Sequence, residues 1–552
     1  MGFFSANTLV VLPVLLPLMA GALMLLFDDR RRVLKASVSL ATLLALLATA
    51  VALLVHADSG GPDGLGAVVV HLLGDWPAPF GIVLVADRLS ALMLVVTALL
   101  ACASFVFALA RWHRAGPRFY SLFLFLQMGL NGAFLTGDLF NLFVFFEVML
   151  AASYGLVLHG SGVARVKAGL HYIPINLVAS SLFLIGVSLI YGVTGTLNMA
   201  DLAGRIAAIG AGERMLLEAG AAILSVAFLV KAAMWPLNFW LPTTYSAASA
   251  PVAAMFAVMT KVGVYVILRL SLLLFGPDAG ASAGFGAEWL LYGGLATIAF
   301  GVIGVLASQS MPRLAGYSVI VSSGTLLAAI GIGDAAIVSG ALYYLVSSTL
   351  AIAAFFLLIE LVERGRAAGA DVLAVSMEVF GDDEEEPAAE AEVGVTLPLT
   401  MAALGGAFAA CTLLLAGLPP LSGFIGKLAL LTALAGAAGT VPGPVSVASW
   451  AMVALLALSG LAALIAMVRT GITTFWVPLS TKPPTVRVVE FAPVAGLLLV
   501  CLALTVAGGP VLRFMDATSR MLHAPTAYVH DVLSQPRIGP QPKSGATTEE
   551  AR

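Results

Sequence analysis

The sequence predicts an all-α polytopic membrane protein of about fourteen transmembrane helices, and three observations carry that prediction. The 552 residues are 60% hydrophobic and only 10% charged, with a mean hydropathy of +1.03, whereas a soluble chain carries roughly 25% charged residues. Apolar runs of about 20 residues, the length that crosses a bilayer, recur from end to end. Lys and Arg cluster in alternate connections, the asymmetry that membrane insertion imposes. The runs lie near 7–27, 33–55, 82–110, 119–136, 138–158, 168–192, 215–247, 251–275, 287–308, 314–333, 335–361, 397–438, 446–469 and 490–509, and no soluble domain fits between them. They divide the chain into three N-terminal helices (1–110), two five-helix units (119–275 and 287–469) and a last helix with its tail (490–552).

The first run lacks a basic segment before it and reads as a retained helix, not a cleaved signal. Arg30, Arg31, Arg32 and Lys35 follow it; Arg111, Arg114 and Arg118 follow the third run, and Arg165 with Lys167 the fifth. Arg313, then Arg364 with Arg366, then Lys482 with Arg487 follow later odd-numbered runs, while the alternate loops hold little beyond Arg205 and Arg214. This alternation places both termini outside the inner (cell) membrane of a bacterium, in the periplasm of a Gram-negative cell. A missed helix would scramble the pattern after it. The net charge of −3 names no partner, because most charges lie in loops. Cys102, Cys411 and Cys501 sit in apolar segments without a CxxC or Cys/His cluster, so neither a disulfide nor a metal site is expected. No Gly-rich phosphate loop or nucleophile constellation appears, which speaks against a cofactor, a nucleic-acid partner or soluble-type catalysis.

Two runs are overlong. In Leu-Val-Lys-Ala-Ala-Met-Trp-Pro the seventh run places Lys231 five residues before Pro236, with Pro242 following. Proline removes a donor and clashes with the preceding turn, so a break is expected near Met234–Leu237. The twelfth run reads Leu-Leu-Leu-Ala-Gly-Leu-Pro-Pro-Leu-Ser-Gly-Phe-Ile-Gly-Lys, with Pro419, Pro420, Gly423 and Gly426 before Lys427. In lipid, freed carbonyls are tolerated only where protein groups or a cavity satisfy them. The two broken helices lie five runs apart and therefore run in opposite directions, the signature of inverted repeats. Runs four to eight and nine to thirteen are the expected repeats.

Few charges lie within runs. Glu147 is mid-run, about nine residues after Asp138, and Lys261 lies in Val-Met-Thr-Lys-Val-Gly-Val-Tyr. Each such charge costs roughly 2.5–3.5 kcal/mol on an insertion scale, so such groups are paired, inward-facing and functional by default. The competing reading is a fixed ion pair tying helices together; four such residues, two of them at breaks, favour an ion path. Asp87 and Arg88 read as an interfacial or structural pair. Lys167 and His171, near the start of the sixth run, suit coupling from the cytoplasmic side, although Lys167 serves equally as a topogenic charge. Glu360 and Glu363 read as solvated. The acidic run Asp382–Glu386, in an Ala-rich loop with Pro387, reads as disordered. The tail from Pro510 reads as a short surface helix followed by disorder.

Segments Asp138–Tyr154, Val230–Pro242, Ala250–Tyr265 and Gly417–Leu430 resemble the antiporter-like proton-conducting membrane subunits shared by respiratory complex I and the Mrp (Pha) cation/proton antiporters. The resemblance spans the third to the thirteenth run. Leu-Pro-Pro-Leu-Ser-Gly-Phe-Ile-Gly-Lys and the modest length look most like the D-type subunits of the Mrp systems. The resemblance implies that Glu147 pairs with Lys231, that Lys261 is the central relay lysine, and that Lys427 is the lysine of the broken twelfth helix. Complex I relatives tend to carry glutamate at the last position. Relatives often place a histidine in the eleventh helix, where this chain reads Tyr343-Tyr344-Leu-Val-Ser347-Ser348, so the link from Lys261 to Lys427 would depend on hydroxyls and water. The implied partners are the other subunits of a multisubunit antiporter, including a larger homologous one, together with protons, Na+ or K+, and the bilayer.

The energetics of such a path follow without the family. A carboxylate and an ammonium about 4 Å apart gain roughly 4 kcal/mol at an effective dielectric of 20. Parting Glu147 from Lys231 withdraws that energy and can drive a proton toward Lys261. Three function classes remain: a proton-translocating subunit of a Na+ or K+/H+ antiporter, favoured here; a subunit of a redox-driven proton pump; and a structural subunit with a dead pathway.

Overall fold

A computed structural model describes residues 6–28, 30–59, 66–364, 399–436, 446–476 and 486–535. The run Asp382–Glu386, Lys482 and the chain from Pro536 lie outside the described residues.

The chain starts with α1 (Ala6–Leu9), which leads into α2 (Leu12–Leu26), and returns through α3 (Arg32–Asp58). The next crossings are α4 (Arg88–Ala108), α5 (Phe119–Leu135), α6 (Leu139–Val157) and α7 (Val163–Thr194). A short α8 (Met199–Ile206) precedes the interrupted crossing, α9 (Ala211–Lys231) and α10 (Leu241–Ala247). Then come α11 (Ala250–Leu274), α12 (Ala287–Ala307), α13 (Met311–Ile332) and α14 (Ala335–Glu363). The second interrupted crossing is α15 (Leu399–Ala416) with α16 (Ser422–Leu434), and α17 (Val447–Gly471) and α18 (Val488–Val506) complete the bundle. Among the described residues twelve helices are long and apolar enough to cross a membrane, and α5 and α16 are shorter apolar helices beside them. Helices dominate because lipid offers backbone groups no partners, so each segment must satisfy its own.

Helices α11 and α14 run through the interior, and almost every residue of each is buried. Their side chains therefore face protein on all sides, which lets a polar row run through the bundle out of contact with lipid.

One face of the bundle carries a hairpin that the sequence reading did not foresee. Strand β1 (Val69–Leu72) pairs antiparallel with β2 (Val83–Ala86), Val69 opposite Ala86 and Leu72 opposite Val83. The third apolar run thus begins as strand. Four apolar residues carry no period that separates strand from helix. Asp87 closes β2 and caps α4, accepting from the Ser90 backbone N–H at 2.9 Å.

Asp87 and Arg88 do not pair with each other, because the two neighbours diverge at this helix start. Asp87 makes a two-pronged ion pair with Arg269 of α11, one of its contacts at 2.9 Å, and Arg88 reaches Asp58 at 3.0 Å. Burial pushes the Asp87 carboxyl up, but the guanidinium outweighs it and holds the group below its usual range. The tail forms the expected short helix, α19 (Gly508–His523), which with a second helix, α20 (Thr526–Leu533), docks on the hairpin face. Ser519 Oγ donates to Ala335 O at 2.7 Å, and the ring of buried Tyr528 lies 5.3 Å from the Arg269 guanidinium.

On the opposite face Glu360 is likewise not solvated. Its carboxylate accepts from Trp112 Nε1 at 2.7 Å and binds Arg364, which also reaches Glu490 at 2.6 Å. This cluster joins the connection after α4 to the ends of α14 and α18.

Candidate functional site

The two interruptions are built alike. In the first, Ala233 N–H donates to Val230 O and Met234 N–H to Leu229 O, with Ala233 at φ +55°. In the second, Gly417 takes φ +74° and Leu418 N–H donates to Leu413 O. A left-handed residue followed by a bond back to the fifth residue before the donor is the Schellman ending of a helix. Matching the endings aligns Ala233 with Gly417, Pro236 with Pro420, Lys231 with Leu415, Trp240 with Phe424 and Thr243 with Lys427. A cis peptide bond precedes both Pro236 and Pro420.

Lys231 is the last residue of α9 and is buried, where a cation sits favourably against the negative helix end. Its ammonium donates to Asn176 Oδ1 of α7. One turn further along α7, Ser180 Oγ donates to the Glu147 carboxylate. Helix α7 thus presents a polar pair to the two charges, and Glu147 and Lys231 make no direct ion pair among the described residues. Asn176 and Ser180 escaped the sequence reading because neither carries charge. Their one-turn spacing in an apolar run was the available signal.

Lys261 lies in the middle of α11, fully buried. Its ammonium donates to Ser322 Oγ at 2.8 Å, and Ser322 shares a hydrogen bond of 2.9 Å with Ser348 Oγ of α14. Ser348 in turn walls a cavity of about 30 Å³ whose lining includes Lys427. A site of that size, with several hydroxyls and an ammonium in its wall, has room for one or two waters. Lys427 donates from Nζ to Ala416 O at 3.0 Å and toward Leu415 O at 3.4 Å, carbonyls freed at the end of α15. Ser347 Oγ meets Ser422 Oγ at 2.8 Å, tying α14 to the start of α16.

The structure therefore brings Lys261 and Lys427 to the two ends of one hydroxyl-and-cavity link, and sets Lys231 and Glu147 on a common partner helix. Lys167 and His171 are exposed on the outside of α7, where His171 Nδ1 lies 3.0 Å from Lys167 O, apart from this row. The three cysteines are free thiols, and the described residues contain no group of three His, Cys, Asp or Glu able to hold a metal ion.

A membrane-spanning bundle with two matched helix breaks and a buried cation at each belongs to the class of broken-helix ion-transport folds. The family described as "NADH:quinone oxidoreductase/Mrp antiporter, TM" matches residues 136–442, more than half of the chain, and the chain belongs to that family. It is 61% identical to the D subunit of a probable K(+)/H(+) antiporter from Rhizobium meliloti (strain 1021), over 97% of this chain and 99% of that one. It is 34% identical to the D subunit of the Na(+)/H(+) antiporter from Alkalihalophilus pseudofirmus, over 96% of this chain and 100% of that one. A chain in the structure of the Mrp complex from Dietzia sp. DQ12-45-1b superposes with a TM-score of 0.79 at 29% identity, covering 96% of this chain and 99% of that chain.

Proposed function

We propose that this protein is the proton-translocating membrane subunit of a multisubunit Na+ or K+/H+ antiporter, a transporter subunit and not an enzyme. One observation carries the reading: the buried hydrogen-bonded link from Lys261 through Ser322 and Ser348 to the cavity that Lys427 lines. A proton can leave the Lys261 ammonium only if an acceptor adjoins it, and the serine pair supplies one whose hydroxyls can accept on one side while donating on the other. Glu147 and Lys231 form the input end, where a change in their separation alters the charge energy of the row. The full-length likeness to antiporter D subunits supports exchange over redox pumping. The partners are the other subunits of such a complex, including a larger homologous one. Residues 119–275 and 287–469 are the two repeats, and the hairpin face is the outer face of the bacterial cell membrane, both termini lying on that side.

The test is Lys261→Arg. Guanidinium keeps the charge but does not release its proton in proteins. In everted vesicles, where cation addition collapses a proton gradient, the arginine variant should fail nearly as completely as Lys261→Ala. Wild-type exchange with arginine would make Lys261 an electrostatic post and remove the relay.

A further inference from the structure

The cavity at the second break has an apolar wall into which several hydroxyls are set. Ser318 Oγ donates to Leu314 O at 2.9 Å and Ser459 Oγ to Leu456 O at 2.7 Å, while Ser348 Oγ lies 3.3 Å from Leu345 O. Hydroxyls whose protons are turned to their own helices leave lone pairs for the cavity. The Leu415 and Ala416 carbonyls at the end of α15 add two further oxygens, and among the described residues they accept from Lys427. Helix ends leave such carbonyls without backbone donors. Among the described residues no carboxylate lines the space. Ser318, Tyr344, Ser348 and Ser459 thus line with Lys427 a space that admits an ion about the size of a water molecule, and the Leu415 and Ala416 carbonyls hold the ammonium at its edge.

We infer that this cavity is a monovalent-cation site, held in turn by the Lys427 ammonium and by a partly dehydrated Na+ or K+, each excluding the other. This rests on the proposed antiport function and assigns the cation a place in this chain. The exchange balances. The Lys427 N–H bond breaks with its electron pair left on nitrogen, the proton passes to cavity water on the Ser348 side, and one cation takes the freed carbonyls. Unwound carbonyls and half-helix C-terminal ends coordinate monovalent cations elsewhere on the same physical grounds. Gly460 of α17 makes the approach possible: a Cβ there would lie 2.7 Å from Ala416 O and 3.4 Å from Lys427 Nζ. Of the titratable groups on the packed helices, Tyr344 of α14 lines the cavity with Lys427; Tyr343 of α14, Arg313 and Tyr317 of α13, Cys411 of α15 and Cys501 of α18 lie on the same set of helices. Glu360, Glu363, Arg469 and Glu490 lie toward the far ends of those helices.

The experiment measures protons released when KCl or NaCl, against choline chloride at equal ionic strength, is added to the purified complex in weakly buffered detergent. Mutual exclusion predicts release of about one proton per complex at saturation, with the half-saturating concentration falling about tenfold per pH unit over the range where the lysine is protonated. Lys427→Gln and Lys427→Arg should each abolish that release, the first having no proton to lose and the second not losing it. Gly460→Ala, which keeps the lysine, should raise the half-saturating concentration at least tenfold, and comparing the two salts gives the preferred ion. Unchanged release in Lys427→Gln, or none in wild type, overturns the site. Either result leaves the proton route standing if Lys261→Arg still fails to exchange, so the two readings fail separately.

Discussion

The two helix breaks share a backbone and differ in what satisfies it. At the first, the Trp240 indole donates to Val230 O at 3.2 Å, which leaves the Lys231 ammonium to Asn176 and the field of Glu147. At the second, Phe424 stands in the tryptophan's place and has no N–H to give, and Lys427 reaches back from α16 to the carbonyls of Leu415 and Ala416. Those residues align with Lys231 and Ala232. The ammonium therefore returns to the same end of its half-helix although it is carried by the other half. One break separates scaffold from charge; the other makes the charge its own cap. The repeat preserves the place of the cation, not the residue position that supplies it.

The largest expected effect comes from giving the first break the residue of the second. Lys231→Leu, and equally Glu147→Ala, should abolish cation-dependent collapse of the proton gradient in everted vesicles while the complex still assembles. Full activity in either variant removes the first break from the route. Next, Ser348→Ala cuts the hydroxyl link on the side of the second break. Cavity water replaces part of it, so exchange should fall about tenfold, equivalent to roughly 1.4 kcal/mol in the barrier. Ser348→His should retain more activity than alanine. Equal rates for alanine and wild type would place the link elsewhere.

Trp240→Phe makes the first break imitate the second without its lysine cap. It removes the indole donor but leaves the Val230 carbonyl its Ala233 N–H, so stability should drop by about 0.5–1.5 kcal/mol, read as a lower denaturation midpoint in detergent. Exchange per assembled complex should change less than about twofold, under ~0.4 kcal/mol; a collapse in exchange would mean that the indole acts on Lys231 and not only on the backbone. The smallest effect belongs to Ala233→Gly. Ala233 holds the left-handed conformation that Gly417 adopts freely. Relief of strain, partly offset by the freer unfolded chain, should stabilise by about 0.5–1 kcal/mol with exchange unchanged. A destabilised variant would show that the alanine methyl packs at the break.

The crossings and both interruptions were legible because hydropathy over about 20 residues and the backbone limits of proline are local properties. The four intramembrane charges were legible because a charge in an apolar run is conspicuous. Arg269 was passed over all the same, since its partner Asp87 lies 182 residues earlier and nothing in the linear order joins them. Asn176, Ser180 and Ser322 are uncharged and gain meaning only from what they face. Asp87 and Arg88 are structural charges as expected, but each takes a partner elsewhere in the chain, because sequence neighbours at a helix start point apart. The tail helix was legible but its docking was not, because α19 offers one apolar stripe, with Met515, Met521 and Leu522 buried, and a stripe does not say what covers it.

The position of α20 bears on biosynthesis. Tyr528 is buried beside Arg269, whose guanidinium also lies 5.4 Å from the Tyr265 ring and pairs with Asp87 near the start of the third crossing. Three parts of the chain made at widely separated times meet there, and the last of them emerges after the final span. A nascent chain therefore completes its crossings while this buried ion pair still lacks its aromatic lid. Chains cut short before Thr526 should carry an uncovered guanidinium–carboxylate pair at the rim.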